Sequence, residues 1–157
     1  MQKPWNIPDL PVYSLATYAD GMVNMNICTY VTKVSMSPGM YVIAVYEGTK
    51  TLENISTSDI AVLQLLHEEQ HGLVRLLGKK SGTVVNKEAK LSSKNHLEIW
   101  EGQKVLKNVC ARILLQKTWS LTTGDHTLFA FKIIKSKSYT KEYLTTRLLS
   151  TLKIISI

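Results

Sequence analysis

Apolar and polar positions mostly alternate with the two-residue period of half-buried strands, and only three stretches carry the spacing of a helix. Val12-Tyr13-Ser14-Leu15-Ala16-Thr17-Tyr18 and then, after the turn pair Asp20-Gly21, Met22 to Val31 are rich in β-branched and aromatic residues, which predicts a hairpin. The alternation continues from Val31 to Met36, and Ser37-Pro38-Gly39 breaks it. Met40 to Tyr46 is an almost continuous apolar run, so a strand buried on both faces is expected there. Further strands are predicted at Ile60 to Leu66, His96 to Trp100, Lys104 to Lys117 and Thr127 to Ile134, with turns at Glu101-Gly102 and Gly124-Asp125. The helices are Thr51 to Ser56 behind a Thr cap, Glu68 to Leu77 stopped by Gly78, and Leu144 to Leu152. Pro4, Pro8 and Pro11 make residues 1–11 an extended lead-in. Lys79 to Asn95 is polar and reads as a loop. Seven or so strands with few helices imply a mainly β fold whose sheet closes, or nearly closes, into a barrel, since closure removes unpaired edges.

Composition narrows this to one domain over residues 1–157. The 157 residues are 45% apolar and 20% charged, which excludes a disordered tail. No apolar run approaches the roughly 18 residues of a spanning helix, and the start lacks a continuous apolar signal region, so a cytoplasmic protein is expected. Cys28 and Cys110 are too few for a disulfide framework and read as buried free thiols. The net charge of +7 calls for an anionic partner: nucleic acid, a membrane surface or the phosphate of a cofactor. Stacking on nucleic-acid bases would want aromatics among the lysines of Lys79 to Asn95, and there are none.

Three motifs could carry chemistry. His67-Glu68-Glu69-Gln70-His71 satisfies H-E-x-x-H, which on a helix would offer two imidazoles to zinc with Glu68 as general base. Glu69 beside the base, Gly72 after the second His and the absence of a further ligand motif favour a solvated first helical turn instead. Thr49-Lys50-Thr51 at a helix start would bring hydroxyls, one ammonium and free backbone N–H groups to a phosphate, although the same residues also make an ordinary capped turn. Lys79-Lys80-Ser81 could clamp a second side of that anion; no Gly-rich nucleotide fingerprint accompanies it. In Gly124-Asp125-His126, Asp125 either orients the imidazole or closes the turn.

Taken in order, Gly21-Met22, Val34-Ser35-Met36-Ser37-Pro38, Gly48-Thr49-Lys50-Thr51, Ala61 to Leu66, Glu68-Glu69-Gln70, Ser81-Gly82, Asn86-Lys87 and Gly124-Asp125-His126 resemble the flavin reductase-like family of FMN-binding split barrels. The resemblance covers about residues 12–135 and implies a split β-barrel, Greek-key-like, with six to eight strands. It implies a homodimer with FMN at the subunit interface and no nucleic-acid or membrane partner. Asn24, Met25, Asn26, Cys28 and Thr29 would line the flavin ring, and Thr49, Lys50 and Thr51 would hold the phosphate, with Lys79, Lys80, Ser81 and Lys87 in support. His126 would act beside the flavin as the catalytic side chain, in hydride transfer from NAD(P)H to flavin; the alternative is a non-catalytic FMN or electron carrier. Four residues depart from the family pattern: Val23 for Thr, Gly39 for Pro, Gln64 for Asn, and Phe131 for Gly, where the larger side chain would narrow the nicotinamide approach.

Overall fold

The computed structural model describes residues 3–157. Asp20 and Gly21 take φ of 53° and 73°, the backbone that a two-residue hairpin turn demands, and fold β1 (Tyr13–Ala19) onto β2 (Met22–Met25). β3 (Val31–Met36) and β4 (Gly39–Tyr46) form the second hairpin. Next come α1 (Lys50–Thr57), β5 (Ile60–Leu65), a 3₁₀ stretch over Glu68–Leu73, α2 (Val74–Lys79) and α3 (Lys87–Ser93). A small hairpin of β6 (Leu97–Trp100) and β7 (Gln103–Leu106), two long strands β8 (Ala111–Thr122) and β9 (His126–Ser138), and α4 (Thr146–Thr151) complete the chain.

Seven strands make one antiparallel sheet in the order β2-β1-β5-β8-β9-β4-β3, and β6-β7 stand apart. The sheet curls because the segment between β2 and β3 stitches its ends together. Tyr13 and Cys28 exchange both backbone hydrogen bonds at 2.9 Å, and the Ala44 N–H donates to the Tyr30 carbonyl at 3.0 Å.

Period-two alternation then sorts the side chains into two cores. Leu15, Ile43, Val45, Ala61, Leu63, Leu115, Phe129 and Phe131 fill the barrel, plugged by Ile55 of α1. Ala16, Val23, Met25 and Val62 face outward and are covered by Leu77 of α2, Leu91 of α3, Leu106 of β7 and Leu149 of α4. Gln64 sits in this outer core fully buried, yet its Oε1 accepts from the Leu106 N–H at 2.7 Å and its Nε2 reaches Met25 Sδ at 3.7 Å. The outer hairpin is thereby keyed to the barrel by a side chain that would otherwise be costly to bury.

Several expectations are corrected. Of the lead-in, residues 1 and 2 lie outside the described residues, and Pro4–Asn6 is a 3₁₀ turn, because Pro at the first helical position has its φ already set. The strand expected from Met22 to Val31 stops at Met25: the Asn26 side chain, through Oδ1, replaces the next ladder acceptor by taking the Leu15 N–H at 2.9 Å. The Lys79 to Asn95 loop contains α3, started by Asn86, whose Oδ1 accepts from the Ala89 N–H at 2.9 Å. Lys104 to Lys117 is two strands, divided where Asn108 takes a φ of 57°. The run Met40 to Tyr46 buries only Ile43 and Val45 fully; its outward residues Val42, Ala44 and Tyr46 remain partly or largely exposed. Among the described residues no helix is long and apolar enough to cross a membrane.

Candidate functional site

A cleft of about 640 Å³ opens where the seam segment, the β4–α1 turn, the residues after α2 and the start of β9 meet. Strand and helix ends build it, so backbone groups face it as well as side chains. Gly48, with φ of 73°, turns the chain from β4 into α1. Thr49 caps the helix: its Oγ1 accepts from the Leu52 N–H at 3.2 Å and donates to the Tyr46 carbonyl at 2.8 Å. That leaves the first-turn N–H groups of Lys50 and Thr51, which have no acceptor within the helix. Lys50 pairs with Glu53 at 2.9 Å across an exposed surface. Four lysines, at 50, 79, 80 and 87, line the cleft against one carboxylate, Glu47.

The floor is a buried polar relay. Asn24 Nδ2 donates to Thr51 Oγ1 at 3.2 Å, the Thr17 hydroxyl donates to the Asn24 carbonyl at 3.3 Å, and Asn54 Nδ2 donates to Thr17 Oγ1 at 3.2 Å. Gly82 lies against this floor: a Cβ there would stand 2.1 Å from Asn24 Oδ1 and 3.0 Å from the Lys50 Cβ. Any side chain would push the loop off the helix start, so glycine is what allows the approach.

His126 stands at the cleft's edge, directly opposite Tyr46 in the β4–β9 register. Its ring lies 5.3 Å from that of Tyr30 and 5.1 Å from that of Tyr46. Nδ1 is 2.6 Å from Asp125 Oδ1, and this hydrogen bond holds the Asp125 carboxyl below its ordinary pKa. An ionised carboxylate can only accept, so Nδ1 is the donor of this pair.

The structure gathers Asn24, Asn26, Cys28, Thr29, Thr49, Lys50, Thr51, Lys79, Lys80, Ser81, Lys87 and His126 around this one cleft. Met25 differs: its side chain is fully buried in the outer core, while its carbonyl accepts from Lys87 Nζ at 2.9 Å. Lys87 is itself buried, and its second bond, to the Leu77 carbonyl at 2.7 Å, ties the end of α2 to the end of β2. Burial lowers its pKa from 10.5 to about 8. Lys79 donates to the Ile154 carbonyl at 2.8 Å, so the segment after α4 reaches the cleft's rim, while Leu149 of α4 packs into the outer core. Burial pushes the Cys28 thiol up to about 12. Phe131, expected to narrow the nicotinamide approach, packs inside the barrel with its ring 6.4 Å from that of Phe129, because its β9 position points inward. Tyr30 and Tyr46 escaped the sequence reading; the signal for Tyr46 was its place as the aromatic residue closing the Met40 to Tyr46 run.

The i, i+4 geometry of the zinc motif does not form. Glu68–Leu73 winds as a 3₁₀ helix, about three residues per turn, and His67 is its cap. Its Nδ1 accepts from the Glu69 N–H at 3.2 Å, and Gln70 Oε1 accepts from the His67 N–H at 3.0 Å.

A model of the flavin reductase like domain matches residues 9–146, and the chain belongs to that family. Among solved structures it is similar to the flavin reductase PheA2, with 23% identity, a TM-score of 0.75, and 88% of this chain and 85% of that one covered. The styrene monooxygenase flavin reductase from Pseudomonas putida S12 gives 16% identity and a TM-score of 0.78 over 92% and 90%. The FMN-binding protein from Thermus thermophilus, solved with 1-cyclohex-2-enone bound, gives 17% and 0.77 over 88% and 75%. These likenesses establish the split-barrel fold. No curated protein sequence matches the chain.

Proposed function

We propose that this chain binds FMN in the cleft and, as a homodimer, transfers hydride from NAD(P)H to flavin. The observation that carries the reading is the joining of an anion corner to a histidine-edged cleft within a flavin reductase-like barrel. The donor set fits the cofactor: the α1 start and Lys50 suit a phosphate monoester. Backbone groups of the seam segment suit the polar edge of a flat ring, and about 640 Å³ lies within the usual range for a site of this kind. When bound, the flavin supplies the hydride-accepting chemistry. The protein's part is to place it, to shield it between Tyr30, Tyr46 and a second subunit, and to hold a proton at His126 Nδ1 with Nε2 turned to accept or return one.

The dimer reading follows from the uncovered side of β4. Val42, Ala44 and Tyr46 share a face with Leu128 and His126 of β9, and with Trp119 and Leu121 of β8, because directly paired residues point the same way. Tyr46, Trp119 and Leu121 are about half exposed, and the face runs into the cleft through Ala44 and Tyr46. A second copy covering it would supply the two-sided burial for which β4 is patterned. Sedimentation velocity should show a dimer that Leu121→Glu dissociates; a monomeric wild-type protein would sink this part.

For the reaction, the purified protein should take up FMN with a changed absorbance spectrum, and anaerobic NADH or NADPH should bleach the yellow band. His126→Ala should bleach roughly 100-fold more slowly with FMN still bound. Failure to bind FMN overturns the proposal, whereas tight FMN that neither nicotinamide reduces identifies a carrier.

A further inference from the structure

A second cavity, of about 1170 Å³, shares no lining residue with the cleft. Helix α2 separates the two: Leu76 lines one, Leu77 and Gly78 the other. Lys90 and Ser93 of helix α3 and its cap residue Lys94 line the cavity, on the flank of the face that buries Lys87 and Leu91. Neither the Lys90 nor the Lys94 ammonium has a partner among the described residues. Arg112 of β8, with a side chain only 5% exposed, lines the same cavity. Its Nη2 serves Glu98 and the Leu106 carbonyl, its Nη1 donates to Tyr139 Oη at 3.0 Å, and its Nε has no hydrogen-bond partner.

Four cations, Lys90, Lys94, Lys107 and Arg112, face two carboxylates, Glu69 and Glu98, a balance of two positive charges over these six side chains. A phosphate monoester carries about that much negative charge at neutral pH. Leu73, Leu76 and Val109 give the cavity an apolar wall. We propose that this cavity is a second ligand site, one that takes a phosphate monoester bearing a compact apolar or aromatic body. The head pairs with Lys90 and Lys94, Arg112 adds its charge and its one uncommitted N–H at Nε, and the body packs on the leucines. The site stands independently of whether the cleft holds FMN.

Phenyl phosphate is the probe, titrated calorimetrically into the full chain carrying Lys50→Glu, which removes the anion corner of the cleft. Saturable binding with Kd below about 1 mM is expected. Adding Lys90→Glu and Lys94→Glu should weaken it at least about 10-fold, and adding Lys33→Glu, an equal step in charge per site on β3 outside the cavity, should leave it within about 2-fold. Both lysines are exposed, and circular dichroism verifies folding of each variant. No saturable heat, binding indifferent to Lys90 and Lys94, equal weakening by Lys33→Glu, or phenol binding as tightly as phenyl phosphate would overturn the proposal.

Discussion

Lys50→Glu is expected to weaken FMN binding by roughly 30-fold to 100-fold while riboflavin binding changes less than about 2-fold. Only FMN presents a phosphate, so the contrast isolates the corner formed by Lys50 and the start of α1. In the free protein the Lys50 ammonium pairs with Glu53 at 2.9 Å, both side chains being well exposed. A pair of that kind contributes little, so Lys50 can turn from Glu53 to a phosphate at small cost. Reversal sets two carboxylates beside the anion. The fold should tolerate it, because acidic residues in a first helical turn complement the dipole. Fluorescence titration of both flavins reads the result, and equal weakening of the two would move the phosphate elsewhere.

The second large effect concerns Lys87 and appears as pH dependence. Its folded pKa is depressed from 10.5 to about 8 by burial. Between those values the unfolded chain binds more protons at this group than the folded one, so stability rises with pH. The penalty of burying the charged form is present in full below about pH 8 and is relieved progressively toward 10.5. Deprotonation does not cost the two contacts, since a neutral amine still has two N–H groups for the Met25 and Leu77 carbonyls. Lys87→Met removes the titration and strips both carbonyls of their donor. The stability gap between wild type and variant should therefore widen by about 2 kcal/mol from about pH 7 to about pH 9.5, or roughly 4–8 °C in Tm. Thermal unfolding of both proteins over that range checks it; parallel curves would show that Lys87 does not titrate in the folded state.

Most of the strand plan was legible because period-two alternation and the pairs Asp20-Gly21 and Glu101-Gly102 are local signals, and both pairs do take positive φ. α3 was not legible, since its buried side is Leu91 plus the stem of Lys87, and a lysine-rich stretch reads as solvated. The break after Met25 was hidden for another reason: it depends on a side chain, Asn26, substituting for backbone in a ladder 11 residues away. In Met40 to Tyr46 the apolar character was legible, but it did not show that only Ile43 and Val45 would be fully buried, because burial depends on what the fold packs on each face. At the cleft, Thr49-Lys50-Thr51 announced a capped helix start within three residues. The tyrosines around His126 did not announce themselves, because β4–β9 register brings Tyr46 across 80 positions of sequence.

The barrel's seam rests on a cysteine. Cys28 exchanges both backbone hydrogen bonds with Tyr13, and its thiol is buried with a pKa pushed up to about 12. Cys110 is buried as well, with its Sγ donating toward the Leu66 and Glu142 carbonyls, and burial raises its pKa too. Neither sulfur is reactive while the native state holds. Modification by a thiol reagent in native buffer therefore counts excursions out of that state: label at Cys28 keeps time on the parting of the seam segment from β1, and label at Cys110 on the release of the C-terminal segment.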